Sequence, residues 1–472
     1  MDHGRNARRG WRQVSAAEGW LAEHEAQGVG MIEAFCRIPS VSADPAFAEG
    51  IARAATFVAV ELRGVGFPVV EILETPGHPS IFAEWTLDPA LPTILVYGHY
   101  DVQPPDPVDK WRSSPFEPEI RDDRLYARGV SDDKGPLAIA LHVMRAFHET
   151  TGRPPLNVKF LIEGEEESGS PNFAATVERL RERLACDLVV SADGAMWRPD
   201  LPSMTVASRG LVALDVTVEG AAKDLHSGRH GGSAPNAIRA LVAMLATLHD
   251  ADGTVAVPGF ADGALPPDPG IERAIRTVEF NPGAYFDAVG AARPEPLPSG
   301  PDLLTRQWLI PTLEFNGISG GYAGHGTKTV IPSAASAKIT CRLVAGQNPA
   351  SVREAIEAHL SRVLPSGYRL SVLPHGPGSA AFALDPNSRG LAIAEGVLED
   401  VLGQVPLRVA MGATIPIAAV FARHLGVDTV FFSFSTADED YHAPNEFFRL
   451  SSFRTGLVAW ARLLTRLGDE LR

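Results

Sequence analysis

Cysteine is scarce: three residues in 472, Cys36, Cys186 and Cys341, each inside an apolar run. A sparse, odd set excludes a disulfide framework and fits reduced, buried thiols. No apolar run approaches the roughly 20 residues that cross a bilayer. The longest uncharged stretch, Val409 to Ala422, is interrupted by Gly412 and Pro416. Positive charge is the minority sign, with 42 Lys and Arg against 57 Asp and Glu and a formal net charge of −15. Such a surface repels phosphate backbones and anionic lipid, so neither nucleic acid nor membrane is an expected partner. Arg5, Arg8, Arg9 and Arg12 make the N-terminus basic, but no apolar segment follows them as in a secretory signal. A cytoplasmic protein is expected. Repeats and low-complexity tracts are lacking. So is a GxSxG elbow, and Cys36, in FCRIPS, has no adjacent base, which argues against a serine or cysteine nucleophile.

What remains is ordinary globular material, 45% hydrophobic and 21% charged, long enough for two or three domains. TILVYG (93–98), VKFLIE (158–163) and DLVVSA (187–192) read as buried strands. Between the first two, Leu137, Ala140, Leu141, Met144 and Phe147 recur at helical spacing, with Asp133 placed to cap the helix. This is β-α-β grammar. It returns near the C-terminus as a strand over 427–435 and a helix over 453–467. From about residue 209 the period changes. LVALDVTVE (211–219) and SAKITCRLV (336–344) alternate apolar and polar residues as half-exposed strands do, YRLSVL (368–373) is a further strand, and helices are expected after Pro235 and over 351–363. The expected fold class is α/β. A central mixed, mostly parallel sheet flanked by helices spans 1–208 and 383–472, with an α+β domain inserted at 209–382. Within the insert, the Pro- and Gly-rich stretch 252–302 reads as irregular surface.

The polar residues that follow the strands carry the chemistry. His99 ends the first strand in YGHYDVQP, with Asp101 two residues on. Glu165, Glu166 and Glu167 follow the second strand, Asp193 the third, and His442 the C-terminal one. Asp132 and Asp133 lie between a turn and the crossover helix. In open α/β sheets such positions gather at one edge, where ligands bind. Three or more carboxylates on one rim repel one another unless cations neutralise them. Imidazole with carboxylate and no thiolate suits zinc, manganese or cobalt. Two divalent ions would balance Asp132, Glu167, Asp193 and one hydroxide. Glu166 is then an extra carboxylate, placed to act as general base toward an ion-held water. Asp101 could accept the ring proton of His99 and fix its tautomer.

The segments YGHYDVQP, LYARGVSDDKGP, EGEEESGS, SAD, DLHSG, GTKTVIP, CRLVAGQNP and YHAPNE stand in one order and spacing from about residue 30 onward. In this the chain resembles the co-catalytic zinc exopeptidases, among them carnosinase-like dipeptidases, carboxypeptidase G, aminoacylase and succinyl-diaminopimelate desuccinylase. It is most similar to the dipeptidase branch. The resemblance implies two divalent metal ions per subunit, zinc with manganese or cobalt as alternatives. Asp132 would be shared between them, with His99 and Asp193 on one ion and Glu167 and His442 on the other. It further implies Glu166 as base activating a bridging water, and an inserted lid that dimerises. His226 in DLHSG would reach the partner's site to stabilise the oxyanion, and Arg342 would bind the substrate's terminal carboxylate. Thr414 keeps a hydroxyl in a loop where Met411 replaces an acid of the dipeptidases. His375, in PHGPGSAAF, is a substrate-contact candidate.

The expected function is therefore metal-dependent hydrolysis of the amide bond in dipeptides or small peptides with a free C-terminal carboxylate, by a homodimer. The Met411 change leaves an N-acyl-amino-acid amidohydrolase as the alternative. A non-catalytic metal-binding homologue is disfavoured because Glu166, which is not a ligand in this scheme, is present.

Overall fold

The computed structural model describes residues 14–471; the arginines at positions 5–12 lie outside them. In chain order the principal strands are Val69–Leu73 (β1), Ser80–Trp85 (β2), Thr93–His99 (β3), Asn157–Glu163 (β4), Leu188–Ser191 (β5), Gly210–Glu219 (β6), Thr312–Gly320 (β7), Ala334–Leu343 (β8), Arg369–Pro374 (β9) and Thr429–Phe431 (β10). Four helices matter most: Gly135–Thr151 (α1), Ala237–Leu245 (α2), Pro349–Val363 (α3) and Leu450–Glu470 (α4).

The chain divides into two units. The first comprises the residues up to Val206 together with Leu384–Val409 and from Val420 on; the second comprises Ala207–Ala383 and Ala410–Ala419. The sheet of the first unit has the order β1-β2-β4-β3-β5-β10. Strands β4, β3, β5 and β10 run parallel, β2 pairs antiparallel with β4, and β1 pairs antiparallel with β2 at the same edge. Its central strands are apolar throughout because helices cover them; every residue of β4 is buried. Helix α1 is the crossover between β3 and β4 and packs on α4. Asp133 does not cap it. Its carboxylate instead accepts the main-chain N–H of His99 at 3.2 Å, tying the start of the helix to the end of β3. The strand expected over 427–435 is regular only at Thr429–Phe431.

The second unit carries a four-stranded antiparallel sheet, β7-β8-β6-β9. Alternation along β6 sends Val212, Leu214, Val216 and Val218 into a core shared with Leu241 and Leu245 of α2 and Ile356 and Leu360 of α3. The opposite face is polar. Two corrections to the sequence reading arise here. The stretch 252–302 contains the helices Pro269–Thr277 and Pro282–Ala288 and the start of Gly300–Trp308. Their prolines begin helices, because a first-turn residue needs no N–H donor, and Asp268, Asn281 and Ser299 cap them. Second, Ala410–Ala419, expected with the first unit, belongs to the second. Arg209 explains this: its main-chain N–H donates to the carbonyls of Met411 and Ala413, and its Nε donates to that of Gly412 at 2.9 Å.

Candidate metal centre

Four loops of the first unit converge where β3, β4, β5 and β10 end. His99 is the last residue of β3 and is wholly buried. Its Nε2 lies 3.0 Å from Asp132 Oδ1. The other oxygen of Asp132, Oδ2, lies 3.0 Å from His442 Nε2, and the same nitrogen is 3.1 Å from Glu167 Oε2. Asp193, two residues past β5, completes the set. Two triplets could each hold a metal ion, His99 with Asp132 and Asp193, and Asp132 with Glu167 and His442; within each, the donor atoms lie within 4.8 Å of one another. Asp132 is common to both.

The donor set fits divalent cations. It contains two imidazoles, three carboxylates and no thiolate. Without a counter-ion its charges are strained in the direction a cation would relieve. Burial pushes Asp193 up to about 7, with Asp132 and Glu167 adding repulsion against the opposing pull of His99. Burial and the charge of Asp132 likewise raise Glu167. Hydrogen bonds to Asp132 and Glu167 raise His442 to about 10. Burial alone would raise Asp132 and lower His99, yet His442 and then His99 draw Asp132 down, and the Asp101 carboxylate and then Asp132 draw His99 up. Divalent ions held by these donors would relieve the repulsion among the carboxylates.

Glu166 opens a short 3-10 turn beside the cluster. Its carboxylate has no hydrogen-bond partner among the described residues. Burial raises its pKa well above the usual carboxylate range, His99 opposes the shift, and Asp193, Asp132 and Glu167 add to it. Asp101 acts through two groups. His99 Nδ1 lies 3.1 Å from the Asp101 main-chain oxygen and 3.4 Å from its carboxylate Oδ1. The carbonyl, not the carboxylate expected from the sequence, is therefore the nearer acceptor for the ring proton. One carboxylate oxygen, Oδ2, accepts the main-chain N–H of Glu167 at 3.0 Å, while Oδ1, the one facing His99, is buried with no other partner among the described residues.

Sequence reasoning missed the residues that hold this cluster in shape. Glu446 accepts from the loop that carries Asp132. Glu439 accepts from Ser131 Oγ at 2.6 Å. Gln103 Nε2 donates to Glu167 Oε2 at 2.8 Å. Gln103 and Glu446 sit inside YGHYDVQP and YHAPNE, but neither residue type at those positions announces a supporting role. Gly129 turns the Asp132 loop with φ 78°, and a Cβ there would collide with Val102 Cγ1, so only glycine fits.

The remaining candidates lie in the second unit. Arg342 is on the polar face of β8 and its Nη1 donates to Thr414 Oγ1 at 2.8 Å. Arg209 belongs to the same patch: burial and then the nearby charge of Arg342 lower its pKa. His226 is exposed on a short strand paired with Val330–Ile331. Its Nδ1 accepts from the Gly228 N–H at 3.0 Å, so in the neutral ring Nε2 carries the proton. His375 is also exposed, its Nε2 2.9 Å from Asp215 Oδ2, while Lys338 lies 3.1 Å from the other oxygen.

Comparisons with known proteins agree with this architecture. Residues 95–466 match peptidase family M20/M25/M40. The chain is 28% identical to the Cys-Gly metallodipeptidase DUG1 of Candida albicans, over 89% of this chain and 90% of that protein. It is 30% identical to the Beta-Ala-His dipeptidase of Rattus norvegicus, over 82% and 79% respectively. Among solved structures, the M20 family metallo-carboxypeptidase Sso-CP2 of Sulfolobus solfataricus superposes with a TM-score of 0.82 at 28% identity, covering 93% of this chain and 99% of that one.

Proposed function

The chain belongs to peptidase family M20/M25/M40, and from that premise we propose that it hydrolyses the amide bond of dipeptides or small peptides bearing a free C-terminal carboxylate. One observation carries the reading: a single carboxylate, Asp132, belongs to two donor triplets, and beside them stands an acid, Glu166, with no hydrogen-bond partner among the described residues. Dipeptidases and a metallo-carboxypeptidase among the relatives supply the substrate class.

Two divalent cations, zinc in this reading with manganese or cobalt as the other candidates, would be held by His99, Asp132, Asp193, Glu167 and His442 and would supply Lewis acidity and charge neutralisation. Glu166 takes the proton of the attacking water and returns it to the leaving amine. The Asp101 carbonyl keeps the Nδ1 proton of His99 in place, so that Nε2 faces Asp132. Arg342 binds the substrate's terminal carboxylate, its fork already oriented by Thr414. His375 can offer the substrate only its Nδ1 side, since Nε2 is held by Asp215.

His226 would donate to the developing oxyanion in the site of a second copy, which makes the functional form a homodimer through the second unit. An edge strand, β7, supports this. It exposes Phe315 and Ile318, while α2 of the same unit exposes Val242. Three free cysteines, whose thiols burial pushes up to about 12, support a reducing compartment such as the cytoplasm.

Glu166→Ala tests the core of this reading against a panel of dipeptides and their N-acetyl forms. The variant should take up two divalent ions like the wild type while kcat falls by about 10²–10⁴-fold. Near-native turnover would remove Glu166 as the base, and preference for the N-acetyl forms would move the substrate to N-acyl amino acids.

A further inference from the structure

Glu446 is wholly buried, and its two oxygens receive four N–H donors. Oε1 accepts from the main-chain N–H of Ser131 at 2.9 Å and of Asp132 at 3.2 Å. Oε2 accepts from Gly129 N at 2.8 Å and from Arg128 Nη1 at 2.7 Å. These donors need an external acceptor, because Asp132 has φ −129° and ψ 90° and the loop around it makes no regular helix. Arg128 is itself fixed, its Nη2 reaching the Pro104 carbonyl at 3.3 Å and its guanidinium lying 5.3 Å from the centre of the Trp111 ring.

The arrangement does more than stabilise a loop. Glu446 lies four residues after His442, so one short segment grips Asp132 twice. His442 meets the carboxylate Oδ2 at 3.0 Å, and Glu446 holds the main-chain N–H of the same residue. The orientation of the shared carboxylate is thereby tied to the position of a donor in the second triplet. We propose that Glu446, held by Arg128, is a positioning residue that sets Asp132 between the two cation positions and so couples the two sites. This inference rests on the two-cation reading of the cluster.

Glu446→Gln preserves size but turns one acceptor oxygen into an N–H donor facing two other donors, so the loop must shift. The full chain, stripped with a chelator, is titrated with Zn²⁺ by calorimetry, and far-UV circular dichroism monitors the fold. The variant should keep a native spectrum and bind Zn²⁺ about 10–100-fold more weakly. Asn157→Ala serves as the comparison. It removes a buried acceptor of the Leu87 and Asp88 main-chain N–H groups at the opposite end of β4 from the cluster, so it should lower the melting temperature and leave Zn²⁺ affinity at the wild-type value. Wild-type affinity in Glu446→Gln, or equal weakening by Asn157→Ala, overturns the positioning role while leaving the metal reading intact. Failure of the wild type to take up Zn²⁺ overturns the metal reading itself. If Glu446→Gln does not fold, Arg128→Lys asks the same question, since it keeps the charge and loses the fork: weakened Zn²⁺ binding supports the role and unchanged binding refutes it.

Discussion

The first unit and the second handle charge in opposite ways. In the first, acids and imidazoles gather at the ends of parallel strands, all but His442 buried or partly buried, and three of them are held from behind: His99 by the Asp101 carbonyl, Glu167 by Gln103, and Asp132, through its loop, by Glu446 and Glu439. In the second, the charged residues stand on the wet face of an antiparallel sheet. Lys338 is paired with Asp215, whereas Arg209 feels the charge of Arg342, opposed by the more weakly acting Glu314, and neither arginine forms an ion pair among the described residues. The excess negative charge of one unit calls for cations, and the guanidinium pair of the other calls for an anion. A fixed geometry of ligands needs burial and redundant support. Recognition of a mobile substrate terminus needs only a preoriented fork on an accessible face.

The comparison breaks first at Arg342. Arg342→Met should raise KM for dipeptides with a free carboxylate and reduce kcat/KM by about 30- to 10³-fold, a loss of about 2–4 kcal/mol of transition-state binding. The C-terminal amides of the same dipeptides should lose little. Cation content should not change, because no donor of the first unit is touched. Equal losses on acids and amides would show that Arg342 is not the anion-binding group.

Much of this division was legible in the sequence, and for physical reasons. Strands β3, β4 and β5 announce themselves because a parallel strand covered on both faces is apolar throughout, and β6 and β8 because one wet face imposes period two. Chemistry-bearing side chains just past strand ends are legible for the same reason, since strand ends share one rim. What was hidden depends on partners distant in the chain. Glu446 cannot be told from any surface acid until the N–H groups of Gly129, Ser131 and Asp132 are seen 314–317 residues away from it in sequence. Pro269, Pro282 and Pro301 read as breakers because a proline that starts a helix and one that ends it look alike without the cap geometry. Strand β7, at the edge of its sheet and mostly exposed, has no apolar alternation to reveal it.

Acid should sharpen the contrast by acting on the first unit's interior. His142 is buried on α1, between Trp20 and Phe453, with Nε2 3.1 Å from the His24 carbonyl. Burial lowers its pKa to about 4, with the charges of Arg145 and His24 adding to the effect and the bond to the His24 carbonyl opposing it. A histidine whose folded pKa is depressed below its unfolded value of 6.5 stabilises the fold above that value. That stability is lost as pH falls toward 4. By linkage the loss reaches about 2 kcal/mol at pH 5. His142→Gln should flatten the stability curve between pH 7 and 5 in urea titrations monitored on the full chain. A curve as steep as that of the wild type would place the acid sensitivity in another group.

The smallest effect concerns the second unit's open edge. If β7 meets its equivalent in a second copy, Ile318→Lys introduces like charges near the two-fold axis and removes an exposed apolar contact. A cost of about 1–2 kcal/mol would weaken the dimer roughly tenfold. Because His226 is proposed to act in the partner's site, turnover per subunit in this variant should fall on dilution and recover at high protein concentration. His226→Ala should be impaired at every concentration. That difference in concentration dependence separates a catalytic need for the second copy from simple stabilisation by it. A variant that sediments as a monomer yet keeps full turnover would make each copy self-sufficient and remove His226 from the reaction.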